Sequence, residues 1–272
     1  MLSKPMLILK DVHKTFYPGT PNEKKALRGI NLTLEAGDFV TILGSNGAGK
    51  STLFNAITGG FLLDEGNILL DSKSLIGLAD YKRAYEIGRL FQDTLKGTAP
   101  NMTIEENLSL AYTRKSKRHF FAVNKKESEH FREVVAMLGM GLEDRMKTKV
   151  GQLSGGQRQA ITLLMSTIAT PKLLLLDEHT AALDPETSQK VLKITKLLVE
   201  KENITTMMIT HDIHAALTLG NRTIMLDDGQ VILELSGEER ANMTPEGLLA
   251  YYQREKKKQL ANDRMLFSIT KS

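Results

Sequence analysis

A glycine-rich run between an apolar stretch and a helix-forming stretch has the residue types that hold a polyphosphate. The run Gly44-Ser45-Asn46-Gly47-Ala48-Gly49-Lys50-Ser51-Thr52 matches the pattern G-x-x-x-x-G-K-[ST]. Glycines let the backbone approach the phosphates, and the N–H groups that open the next helix carry partial positive charge. We therefore predict that Lys50 bridges the β- and γ-phosphates of a nucleotide and that the Ser51 hydroxyl holds Mg²⁺.

A second pattern ends an apolar strand in two adjacent carboxylates, in the run Leu173-Leu174-Leu175-Leu176-Asp177-Glu178. On its own this run also fits an ordinary strand end with exposed acids. Beside a phosphate-binding run, Asp177 is predicted to orient the ligands of Mg²⁺. Glu178 points elsewhere, and we predict that it polarises a water in line with the γ-phosphate.

A third pattern is a capping box in Leu153-Ser154-Gly155-Gly156-Gln157, where Ser154 and Gln157 are predicted to cap a helix. Two glycines in a first turn disfavour a helix, so their presence suggests that a ligand approaches this end closely. A plain helix cap is the alternative. Because the glycine-rich run already holds one nucleotide, a second phosphate-seeking helix end predicts a site shared between two subunits.

The elements around these patterns alternate between buried strands and helices. Phe39–Leu43, Leu173–Leu176 and Thr205–Thr210 have the continuous apolar character of parallel strands. Asp184 is predicted to cap the helix that follows it, with proline at the first position. The pattern between residues 93 and 165 is helical, and another amphipathic helix is predicted near Thr244–Tyr252. Strands alternating with helices predict an α/β fold.

The composition excludes several classes of protein. The 272 residues include no cysteine, which excludes a disulfide framework and a thiolate metal site. A net charge of +4, from 36 basic and 32 acidic residues, is too small for a typical nucleic-acid-binding surface. We expect neither a secretory leader nor a membrane span, because no apolar run is long and uninterrupted enough.

Together these patterns resemble the ordered motifs of the ATP-binding-cassette (ABC) family. The glycine-rich run resembles Walker A, Leu173–Glu178 resembles Walker B, and Leu153–Gln157 resembles the signature motif. Gln92 resembles the Q-loop glutamine, Ala181–Asp184 the D-loop, and His211 the switch histidine. Phe16 stands where an aromatic residue stacks on adenine, and Tyr17 is the alternative. The motifs follow the family order over residues 44–211, and the wider resemblance spans about 6–235.

The resemblance implies a P-loop cassette with a mixed sheet core, an antiparallel β subdomain and an inserted helical subdomain. It implies an ATP-binding core made of residues 1–92 and 166–235, which includes the antiparallel subdomain. Residues 93–165 would form the helical subdomain that carries the signature motif, and residues 236–272 a C-terminal tail.

The resemblance also assigns roles to residues. It implies that ATP and Mg²⁺ bind between two subunits packed head to tail, with the signature motif of one subunit on the nucleotide of the other. The implied catalytic residues are Glu178, His211, Lys50 and Gln92. The implied ligands of Mg²⁺ are Ser51, Gln92 and Asp177. The implied nucleotide contacts are Phe16, Gly44, Ser45, Asn46, Gly47, Ala48, Gly49, Lys50, Ser51, Thr52, Ser154, Gly155, Gly156, Gln157 and Asp184.

A single cassette without a membrane span implies that any transport path comes from separate chains. The expected partners are a second copy of this ATPase, an integral membrane permease and, indirectly, a solute-binding protein, with no nucleic acid. The expected location is the cytoplasmic face of the cell membrane, and import is the expected direction. The alternative is an ABC ATPase that acts on soluble partners, of the iron–sulfur assembly type.

One departure from the family pattern is His179, which stands where many relatives carry proline or alanine. The form Asp177-Glu178-His179-Thr180 resembles ATPases paired with permeases like those of branched-chain amino-acid uptake. That resemblance implies that the transported solute is an amino acid or another small solute. We expect His179 itself to be structural.

Overall fold

The computed structural model describes residues 4–93, 95–115 and 123–255. The strands are β1 (Pro5–Phe16), β2 (Lys24–Glu35), β3 (Phe39–Gly44), β4 (Glu65–Leu70), β5 (Lys73–Ser74), β6 (Ile87–Leu90), β7 (Leu173–Asp177), β8 (Thr205–Ile209), β9 (Arg222–Asp227) and β10 (Gln230–Ser236). The α-helices are α1 (Lys50–Thr58), α2 (Asp80–Arg83), α3 (Ile104–Tyr112), α4 (Lys125–Ala136), α5 (Gly155–Thr167), α6 (Pro185–Glu202), α7 (Ile213–Thr218) and α8 (Gly237–Ala241). A further helix over residues 245–255, the C-terminal helix, ends the described chain.

The central sheet has six strands in the order β10-β9-β3-β8-β7-β6. Five of them run parallel, and β10 pairs antiparallel with β9 at the edge. The mixed α/β sheet predicted for this chain is therefore confirmed. Because β3, β7 and β8 are parallel neighbours, their carboxyl ends meet at one edge of the sheet, where ligands of such folds bind.

Strand β7 explains how the apolar runs pack. Its side chains alternate between the two faces of the sheet, as strand geometry requires. Leu173 and Leu175 belong to the core that also contains Phe54 of α1 and the antiparallel sheet. Leu174 and Leu176 belong to the core that contains α5 and the other helices on the opposite face. A fully apolar strand is needed because both of its faces are buried.

The second sheet is antiparallel, with strands in the order β2-β1-β4-β5. It packs through the core that it shares with α1. Irregularities in the β1–β2 register, for instance between Leu9 and Val12, bend the two long strands. The antiparallel subdomain implied by the family resemblance is therefore present in the fold.

Helix α5 begins as its capping box predicts. Ser154 has extended backbone geometry, and its side chain accepts a hydrogen bond from the Gln157 N–H. Asp184 caps α6 in the same way, with Pro185 at the first turn. Both predictions are confirmed, because a cap depends only on residues within one turn.

The end of the chain contains the helix predicted near Thr244–Tyr252, which the structure extends to residue 255. Of the tail predicted at 236–272, residues 256–272 lie outside the described residues. In the ranges that the structure describes, no helix is long and apolar enough to cross a membrane.

Candidate functional site

The glycine-rich loop joins β3 to α1 through backbone conformations that only glycine adopts easily. Gly44 and Gly49 have φ values of 153° and 103°. A Cβ at Gly44 would lie 2.3 Å from the Leu226 carbonyl oxygen, and one at Gly49 would lie 2.6 Å from that of Ala26. The loop is therefore packed tightly against β9 and β2, and no side chain fits at either glycine.

Lys50, the first residue of α1, turns its ammonium group back into this loop. Its Nζ donates to the carbonyl oxygens of Gly44 at 2.9 Å and Ser45 at 3.0 Å. Burial lowers the pKa of Lys50, while the nearby carboxylates of Glu178 and Asp177 act in the opposite direction. A buried cation held by neutral carbonyl groups is chemically suited to exchange them for phosphate oxygens.

Glu178 and His211 form a direct pair at the same sheet edge. The distance from Glu178 Oε1 to His211 Nε2 is 2.6 Å, and 15% of the Glu178 side chain is exposed against 46% for His211. The two meet because each follows one of two adjacent parallel strands, β7 and β8. The Glu178 N–H donates to the Ile209 carbonyl at 3.1 Å, and Glu178 has a left-handed φ of 47°. This turn aims a carboxylate at the histidine.

Asp177, the last residue of β7, lies in the same electrostatic environment. Burial raises the pKa of its carboxyl group, and the neighbouring charge of Glu178 adds to that effect. Arg89 and Lys50 lower the pKa. Lys50, Asp177, Glu178 and His211 thus form one cluster, called here the charged cluster, in which the predicted Walker A and Walker B residues influence each other's charge.

Arg89 is a neighbour of the charged cluster that the sequence patterns missed. Its Nη2 lies 3.6 Å from Asp177 Oδ2, and its Nη1 donates to Asn55 Oδ1 at 2.8 Å. Its guanidinium carbon lies 4.7 Å from the centre of the Phe91 ring. The signal in the sequence that could have pointed to Arg89 is that it is the one charged residue within strand β6.

The residues predicted to hold Mg²⁺ offer the oxygen donors that this ion prefers. The Asp177 carboxylate lies in the charged cluster, and Ser51 is an exposed residue next to Lys50. Gln92 is exposed two residues after β6, which is the neighbour of β7 in the sheet. The chemistry of this donor set therefore fits the ion, with Arg89 as a cation already directed at Asp177.

The predicted signature residues lie apart from the charged cluster. Ser154 and Gln157 hydrogen-bond each other, at 3.3 Å from the Gln157 N–H and 3.2 Å from the Ser154 N–H. Gly155 is exposed, whereas a Cβ at Gly156 would lie 2.0 Å from Thr187 Cγ2. Across the three described ranges, no hydrogen bond or ion pair joins Ser154 or Gln157 to the charged cluster. One chain therefore brings together only part of the predicted set.

Asp184 lies next to the signature residues, at the start of α6. Its Oδ1 accepts a hydrogen bond from the Thr187 N–H at 3.0 Å, and that bond holds the pKa of Asp184 below its usual value. Since Thr187 also fills the space above Gly156, the starts of α5 and α6 lie against each other.

The aromatic residues predicted at the nucleotide base differ in their surroundings. Phe16 packs edge-on against Phe61, with ring centres 5.3 Å apart, and Lys14 Nζ lies 5.7 Å from the Phe16 ring. Tyr17 is 70% exposed. Phe16 is thus held in one orientation by its neighbours, which suits a stacking surface better than the exposed Tyr17.

His179 is buried beside the charged cluster. Its Nε2 lies 3.1 Å from Thr195 Oγ1, and that hydroxyl donates to the Val191 carbonyl. Burial lowers the pKa of His179 from 6.5 to about 4, so the imidazole is neutral at pH 7. These contacts tie β7 to α6, which is the structural role expected for this residue.

Comparison with known proteins gives consistent matches. The family model described as "ABC transporter" matches residues 27–181, more than half of the chain. The chain is 41% identical over 248 residues to the tyrosine transport ATP-binding protein of Clostridioides difficile, which covers 91% of this chain and 99% of that protein. It is 34% identical to the phosphonates import ATP-binding protein PhnC of Lactobacillus acidophilus, over 86% of this chain and 90% of that one.

Solved structures show the same fold. A dimeric, post-hydrolysis structure of the ATP-binding cassette MJ0796 with ADP and Pi superposes with a TM-score of 0.73 at 32% identity, over 85% of this chain and 98% of that one. The ADP conformation of MJ1267, an ATP-binding cassette of an ABC transporter, gives a TM-score of 0.73 at 26% identity, over 92% and 99%.

Proposed function

Because the chain belongs to the ABC transporter family and is an ATPase of that family, we propose that it drives a separate membrane permease by binding and hydrolysing ATP. The observation that carries this proposal is the Glu178–His211 pair, which shares one sheet edge with Lys50 and Asp177. A carboxylate held against an imidazole beside a phosphate-binding loop has the groups that phosphoryl transfer to water requires.

In the proposed reaction, Glu178 orients the attacking water and accepts its proton. His211 contacts the Glu178 carboxylate through Nε2 before ATP binds, and in the reaction the same nitrogen would donate instead to the charge that develops on the γ-phosphate. Lys50 leaves the carbonyl groups of its own loop and binds the phosphates. Catalysis of this kind depends on positioning and on fixed charges, which the charged cluster provides.

We propose that the remaining residues of the loop and the Mg²⁺ ligands act on the same nucleotide. The backbone N–H groups from Gly44 to Thr52 surround the phosphates, and Phe16 stacks on the base. Ser51, Gln92 and Asp177 would hold Mg²⁺, which neutralises phosphate charge when it is bound. Arg89 would then lose its contact with Asp177 and keep its hydrogen bond to Asn55.

We propose that two copies of this chain complete the site head to tail. Ser154, Gly155, Gly156 and Gln157 of one copy would contact the γ-phosphate held by the other, with Asp184 close to the interface. Two observations support this: Ser154 and Gly155 at the start of α5 are exposed, and no hydrogen bond of the described residues joins Ser154 or Gln157 to the charged cluster of the same chain. The related cassette MJ0796 is dimeric in its structure with ADP and Pi.

The transported solute is proposed to be an amino acid or another small solute, taken up from outside. The 41% identity to a tyrosine transport ATP-binding protein supports an amino acid, although another relative is an importer of phosphonates. A permease of the branched-chain amino-acid type and a solute-binding protein complete the proposed system. The chain would act at the cytoplasmic face of the membrane, and residues 93–165 would form its helical subdomain.

The experiment that tests this proposal is the purification of tagged Glu178→Gln with ATP from detergent-solubilised native cells, followed by mass spectrometry. Glu178→Gln should trap the ATP-bound dimer on its partner, and Lys50→Ala, which is expected not to bind ATP, is the matched control. A permease with several membrane spans, enriched with Glu178→Gln only, supports the proposal. Enrichment of soluble scaffold proteins without a permease would contradict it and would favour the iron–sulfur assembly type.

A further inference from the structure

The C-terminal helix packs directly against the strands that carry the nucleotide site. Its Leu248 is fully buried in a small core with Leu43 of β3 and Met225 of β9. Leu43 immediately precedes Gly44, where the glycine-rich loop begins. The C-terminal helix therefore packs against the strand residue that directly precedes the loop.

A chain of hydrogen bonds runs from this helix to the lysine of the loop. The Tyr252 hydroxyl donates to Asp227 Oδ1 at 3.3 Å, and the Ser45 hydroxyl donates to the same oxygen at 3.2 Å. The Ser45 carbonyl oxygen accepts from Lys50 Nζ at 3.0 Å. Since the Asp227 carboxylate is largely buried at the end of β9, its position depends on these two hydroxyl groups.

A cavity of about 180 Å³ shows that the helix also adjoins His211. Its lining includes Leu248, Leu249 and Tyr252 of the helix, together with Ser45 and His211. The C-terminal helix thus borders both the loop and the histidine of the charged cluster.

The segment before the helix is held by separate contacts. The Arg240 side chain donates to Thr223 Oγ1 at 2.9 Å and to the Leu219 carbonyl oxygen at 2.6 Å. These bonds attach α8 to β9 and to the end of α7. The position of the helix is therefore fixed at its N-terminal side independently of Tyr252.

We propose that Tyr252 is a positioning residue for the nucleotide, acting through Asp227 on Ser45 and Lys50. The proposal rests on the function proposed above, because it needs the loop to bind ATP. The hydroxyl of Tyr252 offsets the charge of Asp227 and fixes its rotamer. Without it, a less compensated carboxylate stands beside the phosphates and the Ser45 hydroxyl loses a fixed acceptor, so ATP binds more weakly.

Tyr251 provides a matched control on the same helix. Its hydroxyl donates to the Ile232 carbonyl oxygen at 3.1 Å, on β10. Tyr251→Phe and Tyr252→Phe each remove one hydroxyl, and the two hydrogen bonds described for these hydroxyls are similar in length, at 3.1 and 3.3 Å. Only the Tyr252 bond leads, through Asp227, to the nucleotide loop. A general weakening of helix packing should therefore affect both variants equally, whereas loss of the Asp227 contact should affect only Tyr252→Phe.

The test is a titration of the full chain with a fluorescent ATP analogue, together with steady-state ATPase kinetics. We expect Tyr252→Phe to weaken ATP affinity by roughly 3- to 10-fold, the net effect of one ordinary hydrogen bond. KM for ATP should rise while kcat at saturating ATP stays within about twofold, because ground-state binding is what changes. Tyr251→Phe should bind as the wild type does.

A double-mutant cycle links the effect to the loop. Ser45→Ala should weaken binding by itself, and adding Tyr252→Phe should then change affinity little, because both act through Asp227. Equal affinities for Tyr252→Phe and Tyr251→Phe, or additive effects in the cycle, overturn the positioning role. Failure of the wild type to bind ATP more tightly than Lys50→Ala overturns the proposed function as well, so the two failures are distinguishable.

Discussion

The charged cluster at the end of β7 and the first turn of α5 satisfy their polar groups in opposite ways. In the charged cluster, groups distant in sequence meet each other: Glu178 contacts His211, and the charges of Lys50 and Asp177 act on each other. At the first turn of α5, Ser154 and Gln157 satisfy each other within a single turn, and the adjoining Gly155 is exposed.

This difference indicates how the work is divided in the proposed mechanism. The charged cluster depends on the alignment of β3, β7 and β8, so one folded chain builds it completely. The start of α5 is held by its own capping box, and in the described residues no hydrogen bond joins Ser154 or Gln157 to the charged cluster. We therefore expect changes in the cluster to affect hydrolysis within one subunit, and changes at α5 to affect only the assembled dimer.

Among the substitutions that test this comparison, Glu178→Gln should have the largest effect on the rate of ATP hydrolysis. It removes the proposed base but keeps the shape of the side chain, so we expect hydrolysis to slow by roughly 10²–10⁴ while ATP binding persists. Phosphate release and nucleotide titration measure the two properties. Glu186→Gln, which alters an exposed carboxylate paired with Lys190, is the control. A normal turnover rate in Glu178→Gln would exclude the proposed role.

His211→Ala should slow hydrolysis by roughly 10²–10³, the usual effect of losing one group that stabilises developing charge. Because His211 also holds Glu178 at 2.6 Å, the double variant with Glu178→Gln should be little slower than Glu178→Gln alone. His214→Ala, which alters an exposed histidine at the second position of α7, is the matched control. Independent, multiplying effects in the double variant would show that the contact has no catalytic consequence.

His179 should affect stability rather than turnover, although it adjoins Glu178. Its folded-state pKa of about 4 lies below the usual 6.5, so the unfolded chain takes up a proton first as the pH falls. The stability that depends on a neutral His179 is therefore fully present above pH 6.5. It is lost as the pH falls from 6.5 to 4. At pH 5 the loss is about 2 kcal/mol, since each pH unit below the unfolded-state pKa changes the free energy of unfolding by about 1.4 kcal/mol.

Denaturant titrations at pH 7 and pH 5 measure this loss. His179→Gln has no group that titrates in this range, so its free energy of unfolding should fall less between the two pH values than that of the wild type. His214→Gln should behave as the wild type does. An equal pH dependence in wild type and His179→Gln would refute the assignment of a buried, neutral imidazole.

Ser154→Ala should have the smallest effect and should sharpen the comparison most. It removes a helix cap, so we expect stability to fall by about 1 kcal/mol. Thr103→Ala removes the equivalent cap of α3, which has its own capping box. If Ser154 also binds the nucleotide of a second copy, Ser154→Ala should lower kcat by about 10-fold, as expected for one hydrogen bond to a charged group.

Comparison of Ser154→Ala with Thr103→Ala distinguishes a shared nucleotide site from a purely structural helix cap. Equal losses of stability with a loss of turnover only in Ser154→Ala support the shared site. Equal turnover in Ser154→Ala and Thr103→Ala would show that the α5 cap is structural only. The ATP affinity of dilute protein should be unchanged in both variants.

The features that the sequence predicted well are those determined by neighbouring residues. The glycine-rich loop, the caps at Ser154 and Asp184, and the apolar strand before Asp177 each depend on a few consecutive positions. The contact between Ser45 and Asp227 depends instead on the pairing of β3 with β9, 182 positions apart. Arg89 likewise reaches Asp177 only because β6 pairs with β7. Sequence patterns carry no information on strand order, so such contacts were missed.

The left-handed backbone of Glu178 has a consequence for how this protein could be improved. A φ of 47° costs a residue with a Cβ about 1 kcal/mol, and glycine would avoid that cost. A screen for heat-tolerant variants would therefore favour Glu178→Gly, while a screen for turnover would reject it. At this one position, selection for thermal stability and selection for catalytic turnover therefore favour different residues.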